Sequence, residues 1–161
     1  MKSKYAFFTI LLFLFTLSSA QSKNIYKSEV LKLYPDAKQI DWEKKGDYKV
    51  ALFDHNAFEM KVWLNKQAEW VMSVLDILTT DELPPDVYNA YTFTQYAQWD
   101  VLNVYWVTFP DKEELFIVKV NQDNSSQTND LIFSSSGELV NNINVSDQEV
   151  SITPSFFDIN D

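Results

Sequence analysis

Residues that could catalyse a reaction are few in this sequence and are poorly spaced for that role. The single histidine, His55, follows Asp54 in a predicted turn, and no second histidine is present to share a metal ion or a proton. A solvated turn histidine is therefore the favoured interpretation, with a base or metal ligand beside Asp54 as the alternative. The three serines at 134–136 lack the strand-turn-helix setting of a nucleophilic serine and are typical of a turn. We therefore predict that the protein is not an enzyme.

The acidic group Asp111, Glu113 and Glu114 is the best candidate for a cation site. Lys112 interrupts it, and the spacing of a calcium-binding loop is absent. The chain also has no cysteine and only two glycines, which excludes thiolate catalysis, zinc–sulfur sites and glycine-rich phosphate loops. The sequence thus predicts neither a metal nor a cofactor.

The charge of the chain excludes another class of function. Its 161 residues carry 13 Lys or Arg, all of them lysine, against 23 Asp or Glu, for a net charge of −10. An acidic chain without arginine repels phosphate and cannot supply the electrostatic attraction on which nucleic-acid binding depends. We therefore expect no nucleic-acid partner.

The amino terminus has the pattern of an export signal. Lys2 and Lys4 precede an apolar run over residues 5–17, and small residues follow as far as Ala20. As a helix this run is too short to cross the ~30 Å hydrocarbon core of a membrane, which disfavours the alternative of an anchor. Residues 1–20 are thus predicted to be a signal peptide, and the mature protein to be periplasmic or secreted, without membrane insertion after cleavage.

Hydrophobic periodicity divides the remaining chain into two similar halves. Each half is predicted to begin with a helix, over residues 25–33 and from Asp81 to Tyr91, and to continue with antiparallel strands separated by turn residues. Residues 62–71 match residues 131–140 in apolar pattern, at a constant offset of 69 residues. The predicted strands cover residues 39–44, 48–54, 58–64 and 70–77 in the first half, and 100–109, 115–120, 130–133 and 138–145 in the second.

This pattern predicts an α+β fold in which a helix plus a four-stranded antiparallel sheet occurs twice in tandem, with the helices on one sheet face. The first unit is predicted to span residues 21–80, the second residues 81–145, and a C-terminal tail residues 146–161. The tail is acidic but contains Ile152, Phe156, Phe157 and Ile159, so both docking and a free tail are open at this point.

Several short motifs occur along the mature chain in one order, and together they carry a family resemblance. They are Tyr34-Pro35-Asp36-Ala37, Asp41-Trp42, Ala51 with Phe53, Val62-Trp63-Leu64, Trp70, and Glu82-Leu83-Pro84 with Val87. In this combination the chain resembles the PepSY-like or beta-lactamase-inhibitor-protein-like (BLIP-like) domains, which are small exported proteins of Bacteroidetes. The resemblance implies a tandem helix-plus-sheet fold, a periplasmic or extracellular location and a non-catalytic role.

Two features depart from that family pattern. Ala68 stands where the turn usually has glycine, and neither half contains an inhibitory loop that can be identified by its residues. The resemblance therefore suggests protein binding without indicating which segment would inhibit another protein.

The predicted turns assign side chains to the two faces of the first sheet. A turn over residues 54–57 places Phe53 opposite Phe58. A bulge at Ala68 pairs Leu64 with Trp70 and Val62 with Met72. The core face, which the first helix covers, is then expected to hold Ala51, Phe53, Phe58, Met60, Val62, Leu64 and Val74.

The opposite face is the candidate binding surface. It is expected to collect Tyr48, Val50, Leu52, Lys61, Trp63, Val71 and Leu75, joined by Ile117, Ile132 and Val140 from the second half. An apolar sheet face of this kind marks an interface when nothing covers it. The alternative is that the tail or a second copy of the protein buries it.

From this surface the sequence predicts an exported, non-catalytic binding module that binds or inhibits an envelope or secreted protein. The predicted contact residues are Tyr48, Val50, Lys61 and Trp63, with Tyr48 directly opposite Trp63. The alternative function is a small-molecule-binding protein or enzyme with a pocket between the sheet and the helices.

Overall fold

The computed structural model describes residues 25–123, 125–146 and 152–157, and this part of the chain contains eight strands and two short helices. Helix α1 covers residues 25–33, and 3-10 turns occur at Thr80–Glu82 and Pro154–Phe156. The predicted signal peptide, residues 1–20, lies outside the described residues. The other elements are β1 (Asp41–Lys45), β2 (Tyr48–His55), β3 (Phe58–Leu64), β4 (Trp70–Asp76), α2 (Pro85–Thr92), β5 (Asp100–Thr108), β6 (Leu115–Asn121), β7 (Thr128–Ser134) and β8 (Leu139–Asn144).

The strands form one continuous antiparallel sheet in the order β1 to β8, so the predicted α+β tandem of two four-stranded sheets is wrong. The two predicted four-stranded sheets are joined into one because β4 pairs with β5, from Ser73 opposite Thr108 to Asp76 opposite Tyr105. The N–H of Ile77 extends this junction by donating to Val104 O at 2.9 Å. An isolated four-stranded sheet would leave the outer edge of β4 unpaired, and pairing with β5 removes that edge.

The β2–β3 hairpin has a tighter turn than predicted. Phe53 pairs with Met60 rather than with Phe58, because only Asn56 and Ala57 form the turn. Both residues have positive φ, 53° and 71°, as a two-residue hairpin turn of the favoured twist requires. Because the register differs from the prediction by two residues, the assignment of β2 and β3 side chains to faces is unchanged.

A bulge in β4, where Val71 is the extra residue opposite the step from Trp63 to Leu64, exchanges the predicted faces of this strand. Leu64 pairs with Trp70 as predicted, but Met72 lies opposite Trp63 and not Val62. The predicted faces of Val74 and Leu75 are therefore reversed: Leu75 packs in the cluster beneath the helices, and Val74 lies on the other side of the sheet. A one-residue shift in register has this effect because side chains alternate between faces.

Both helices cover one face of the sheet, which we call the inner face. Helix α2 begins at Pro85, later than predicted, because Leu83 and Pro84 are extended, as residues before proline prefer. Val30 of α1 and Val87 of α2 are fully buried against the sheet. The buried cluster of the inner face consists of Val30, Ala51, Phe53, Met60, Val62, Leu64, Leu75, Ile77, Leu83, Val87, Tyr91, Tyr96, Val104, Phe116, Val118, Val120, Leu131 and Phe133.

Candidate functional site

The sheet face opposite the two helices, which we call the outer face, is the candidate site. Its buried apolar cluster draws on strands β2 to β7, so side chains from both halves of the chain lie together on it. Half-buried side chains around the cluster include Tyr48, Leu52, Tyr105, Leu115 and Ile143. The buried members are Val50, Trp63, Met72, Val74, Val107, Ile117, Ile132 and Phe156.

The four predicted contact residues lie on this face, but they differ in accessibility. Val50 is fully buried, and Trp63, its cross-strand partner, is 2% exposed. Tyr48 is half-buried and pairs with Lys45 rather than with Trp63. Its ring nevertheless meets the Trp63 indole edge-on, with centroids 5.8 Å apart. Val50 and Trp63 therefore form the floor of the surface on which Tyr48 lies.

Charged side chains border this aromatic pair. Lys61, on the same face of β3, forms an ion pair with Glu59 at 2.6 Å. The ammonium of Lys45 lies 5.9 Å from the centre of the Trp63 ring, within the range of a cation–π contact. The indole N–H of Trp63 has no hydrogen-bond partner within the described residues. Burial of this donor removes part of the gain from burying the ring.

The C-terminal tail docks on the outer face, which decides a point that the sequence left open. Phe156 is 8% exposed and belongs to the outer-face cluster. The Phe157 ring meets that of Phe109 edge-on at 5.1 Å. Burial of one phenylalanine contributes about 1.5–3 kcal/mol. The outer face is therefore covered in part by the chain's own residues 152–157.

A buried ion pair lies beside the apolar cluster on the outer face. Asp130 of β7 is fully buried, and its carboxylate lies 3.6 Å from the ammonium of Lys119. This distance is long for a hydrogen bond, and within the described residues neither carboxylate oxygen has a hydrogen-bond partner. Burial raises the pKa of Asp130 above its ordinary 3.8, while the charge of Lys119 opposes the rise. No local motif links Asp130 with Lys119, so the sequence does not predict this pair.

Tyr105 of β5 lies between this pair and the acidic end of β4. Burial, and next the charges of Asp76, Asp130 and Glu59, raises the pKa of Tyr105 to about 12. The phenol is thus neutral at physiological pH, able to donate a hydrogen bond but unsuited to act as a base. Asp76 in turn accepts a hydrogen bond from the Asn103 side chain at 3.3 Å.

Two hollows flank the docked tail on the outer face. One, of 180 Å³, is lined by Met72, Phe109 and Phe157, among others. The other, of 390 Å³, reaches Leu115 and Ile132 and is also lined by Phe109 and Phe157. Phe109 and Phe157 therefore belong to the walls of both hollows.

A groove of 840 Å³ lies at the β1 edge, beside α1. Lys49 lies over the rings of Tyr26 and Trp42, at 4.6 and 5.2 Å from their centres. Val30 and Val87 are fully buried where the helices meet the sheet, so this groove lies at the sheet edge and not in the place that the alternative function of small-molecule binding predicted.

Of the residues first considered for chemistry, Ser135 of the serine run donates a hydrogen bond to Glu113 of the acidic group. His55 ends β2, where its ring packs edge-on against Tyr34 at 5.3 Å and contacts the Asn56 amide at 3.3 Å. Ser134 and Ser136 are hydrogen-bonded to each other in the turn between β7 and β8. Among the described residues, no three His, Cys, Asp or Glu side chains are placed to hold a metal ion.

Solved structures similar to this chain come from Bacteroides. A DUF2874 family protein of Bacteroides ovatus is 37% identical, with a TM-score of 0.79, and the match covers 83% of this chain and 94% of that one. A BLIP-like protein of Bacteroides fragilis is 31% identical, with a TM-score of 0.77, over 81% of this chain and 92% of that one. These likenesses support the BLIP-like part of the predicted resemblance, while the PepSY-like part stays a prediction.

A third similar structure bears on location. A protein of Bacteroides eggerthii described as a candidate periplasmic protein is 32% identical, with a TM-score of 0.73, over 78% of this chain and 90% of that one. A scan of protein-family models finds no match, and a search of curated proteins finds none either. Within the described ranges, no helix has the length and apolar character needed to cross a membrane.

Proposed function

This chain belongs to the DUF2874 family, and we propose that it is an exported, non-catalytic module that binds another envelope or secreted protein through its outer face. The observation that carries the proposal is the asymmetry of the sheet. Helices α1 and α2 cover the inner face, whereas the outer face is covered among the described residues only by a short tail segment. A broad apolar sheet face rimmed by charge is typical of a protein interface.

Tyr48 and Lys61 are the proposed direct contacts, and Val50 and Trp63 hold them in place from below. A half-buried tyrosine supported by a fully packed indole loses little side-chain freedom on binding, and such aromatic residues contribute strongly to interface energies. Lys61 and Glu59 provide a charged rim on the same side. This division of roles modifies the expectation that all four side chains touch the partner, because buried side chains cannot do so directly.

The charge of the chain favours a basic partner. A net charge of −10 attracts a positively charged protein over distances comparable to the Debye length, about 8 Å at physiological salt. Association should accordingly slow as the salt concentration rises. The predicted signal peptide and the description of the B. eggerthii relative support a periplasmic or secreted location.

Site-specific photo-crosslinking in the native envelope tests this proposal. A photoreactive phenylalanine analogue replaces Tyr48 in one variant and Tyr88 in a matched control, since Tyr88 is 39% exposed on α2 at the other side of the sheet. We expect a discrete crosslinked protein from position 48 and none from position 88. Equal crosslinking at both positions, or crosslinking at position 88 alone, would place the interface elsewhere.

The protein identified in this way is then purified and titrated. We expect Tyr48→Ala to weaken its binding by roughly tenfold or more, equivalent to at least about 1.4 kcal/mol, and Tyr88→Ala to leave it unchanged. An unchanged affinity for Tyr48→Ala, in a variant that melts as the wild type does, would contradict the assignment.

A further inference from the structure

Residues 152–157 lie on the outer face without being built into the sheet. Their hydrogen bonds within the described residues are local: the Phe156 N–H donates to Thr153 O, and the Phe157 N–H donates to Pro154 O. The hydroxyls of Thr153 and Ser155 also bond to each other. Among the described residues, the burial of side chains is therefore the contact that holds the segment on the sheet.

The side chains that hold this segment form a compact apolar unit. Pro154 and Phe156 are buried, and the rings of Phe156 and Phe157 meet edge-on at 5.0 Å. Phe109, at the end of β5, completes the contact from the sheet side. The unit is therefore a short turn that presents two adjacent aromatic rings behind a proline.

The site beneath this turn has the features of a peptide-binding groove. It is apolar at its floor, where Met72 and Ile132 lie, and the two hollows beside Phe109 leave room around the docked rings. The hydrogen bonds shown for the docked segment are local, so its docking does not depend on backbone pairing with the sheet. A segment of another protein with the same ring arrangement would therefore find the same apolar binding surface.

We propose that this groove is a binding site for protein segments with two adjacent aromatic side chains in a tight turn, and that residues 152–157 are its intramolecular ligand. The tail then competes with such a segment of the partner, an inference that rests for its regulatory part on the proposed function of the outer face. Release of the tail exposes Phe109 and the apolar floor, which enlarges the surface next to Tyr48 and Trp63.

Competition by the tethered tail should measurably lower the affinity of the groove for a separate peptide. A tail joined to its site by a short connection acts at an effective concentration on the order of millimolar, so it weakens the binding of the same segment supplied in trans. Weakening the tail should restore that binding.

The experiment uses the full mature chain and a fluorescent synthetic peptide with the sequence of residues 150–161. Binding of the peptide is measured by fluorescence anisotropy. We expect the peptide to bind the Phe156→Ala/Phe157→Ala variant at least roughly tenfold more tightly than the wild type. Phe93→Ala is the matched control, since Phe93 is an aromatic residue that is 91% exposed and lies outside the outer-face cluster, and it should behave as the wild type. Phe109→Ala, added to the double variant, should abolish the gain.

Three results would overturn the inference: no binding to the double variant, equal binding to the double variant and the wild type, or equal binding of a scrambled peptide in which the two phenylalanines are separated. If the double variant does not fold, Phe157→Ala alone, which keeps the buried Phe156, makes the same comparison with a smaller gain expected. The test needs no envelope partner, so its failure leaves the crosslinking result at position 48 standing. Conversely, peptide binding without crosslinks at position 48 would end the proposed function but keep the groove.

Discussion

The two faces of the sheet are closed in different ways. The described inner face has eighteen buried apolar residues, including Val30 of α1 and Val87 and Tyr91 of α2. The outer face has eight, of which only Phe156 comes from outside the sheet. A face covered by helices at the centre of a core opens only when the protein unfolds, whereas a face covered by a six-residue segment can open locally. We therefore expect the part of the outer face beneath the tail to exchange contacts more readily than the inner face beneath the helices.

The largest effect is expected from truncation at the inner face. Phe133→Ala removes a fully buried ring beneath the helices and should lower the free energy of unfolding by about 3–5 kcal/mol. Phe53→Ala, on the same face, should cost a similar amount. Phe93→Ala is the control, since Phe93 is 91% exposed, and it should have almost no effect. Denaturant melts measure all three, and a neutral Phe133→Ala would remove the stated difference between the faces.

Separating the buried ion pair of the outer face should have the next largest effect. Lys119→Met leaves the Asp130 carboxylate buried without its counter-charge and should cost about 3 kcal/mol near neutral pH. Replacing both residues, as Lys119→Met/Asp130→Leu, should recover most of that loss. A double variant as unstable as the single one would contradict this account.

The stability of the single variant Lys119→Met should depend on pH in a defined direction. Burial holds the pKa of Asp130 in the folded protein above its ordinary 3.8, so the folded state binds a proton more tightly than the unfolded state. Stability linked to this group is fully present below about pH 3.8 and is lost as the pH rises through the raised pKa. Lys119→Met removes the charge that opposes the rise, so its instability should lessen as the pH falls from 7 toward 4. Thermal melts over this range check the sign, and a loss that is independent of pH would refute it.

Truncation within the tail should cost less than truncation at the inner face. Phe156→Ala should lower the free energy of unfolding by no more than about 1.5–3 kcal/mol, the value of burying one such side chain. Hydrogen exchange at the tail amides should accelerate while exchange in β2 and β3 stays slow, because the tail opens without the sheet. Acceleration of equal size throughout the sheet would show instead that the tail is part of one cooperative core.

The smallest effect is expected at the turn between β2 and β3. Ala57 has a φ of 71° and is exposed, a conformation that costs a residue with a Cβ about 1–2 kcal/mol and glycine almost nothing. Ala57→Gly should therefore stabilise the protein by about 1 kcal/mol and leave tail docking unchanged, since it alters neither face. A loss of stability, or a change in peptide binding, would indicate that the turn acts on one face selectively.

Local patterns in the sequence predicted part of this structure well. Alternation located the strands, and because the error in the β2–β3 turn was an even number of residues, Phe53 and Val62 were still placed on the core face. The pairing of Leu64 with Trp70 was confirmed as well. Local alternation failed at the bulge, where a one-residue shift moved Leu75 to the inner face and Val74 to the outer one. The burial of the predicted contact residues Val50 and Trp63 could not be predicted from the sequence, because it depends on parts of the chain far from β2 and β3.

The sequence by itself determined the hairpins, the acidic charge, the lack of cysteine chemistry and the predominantly apolar character of both faces, because these follow from composition and from alternation over a few residues. Tertiary structure alone decided three further features. Pairing of β4 with β5 joined the halves into one sheet. Packing buried Trp63, which the sequence had predicted as a contact residue. Docking of Phe156 covered part of the outer face. Each of these depends on unpaired backbone or apolar surface finding a partner distant in the chain, and periodicity within a segment contains no information about that partner.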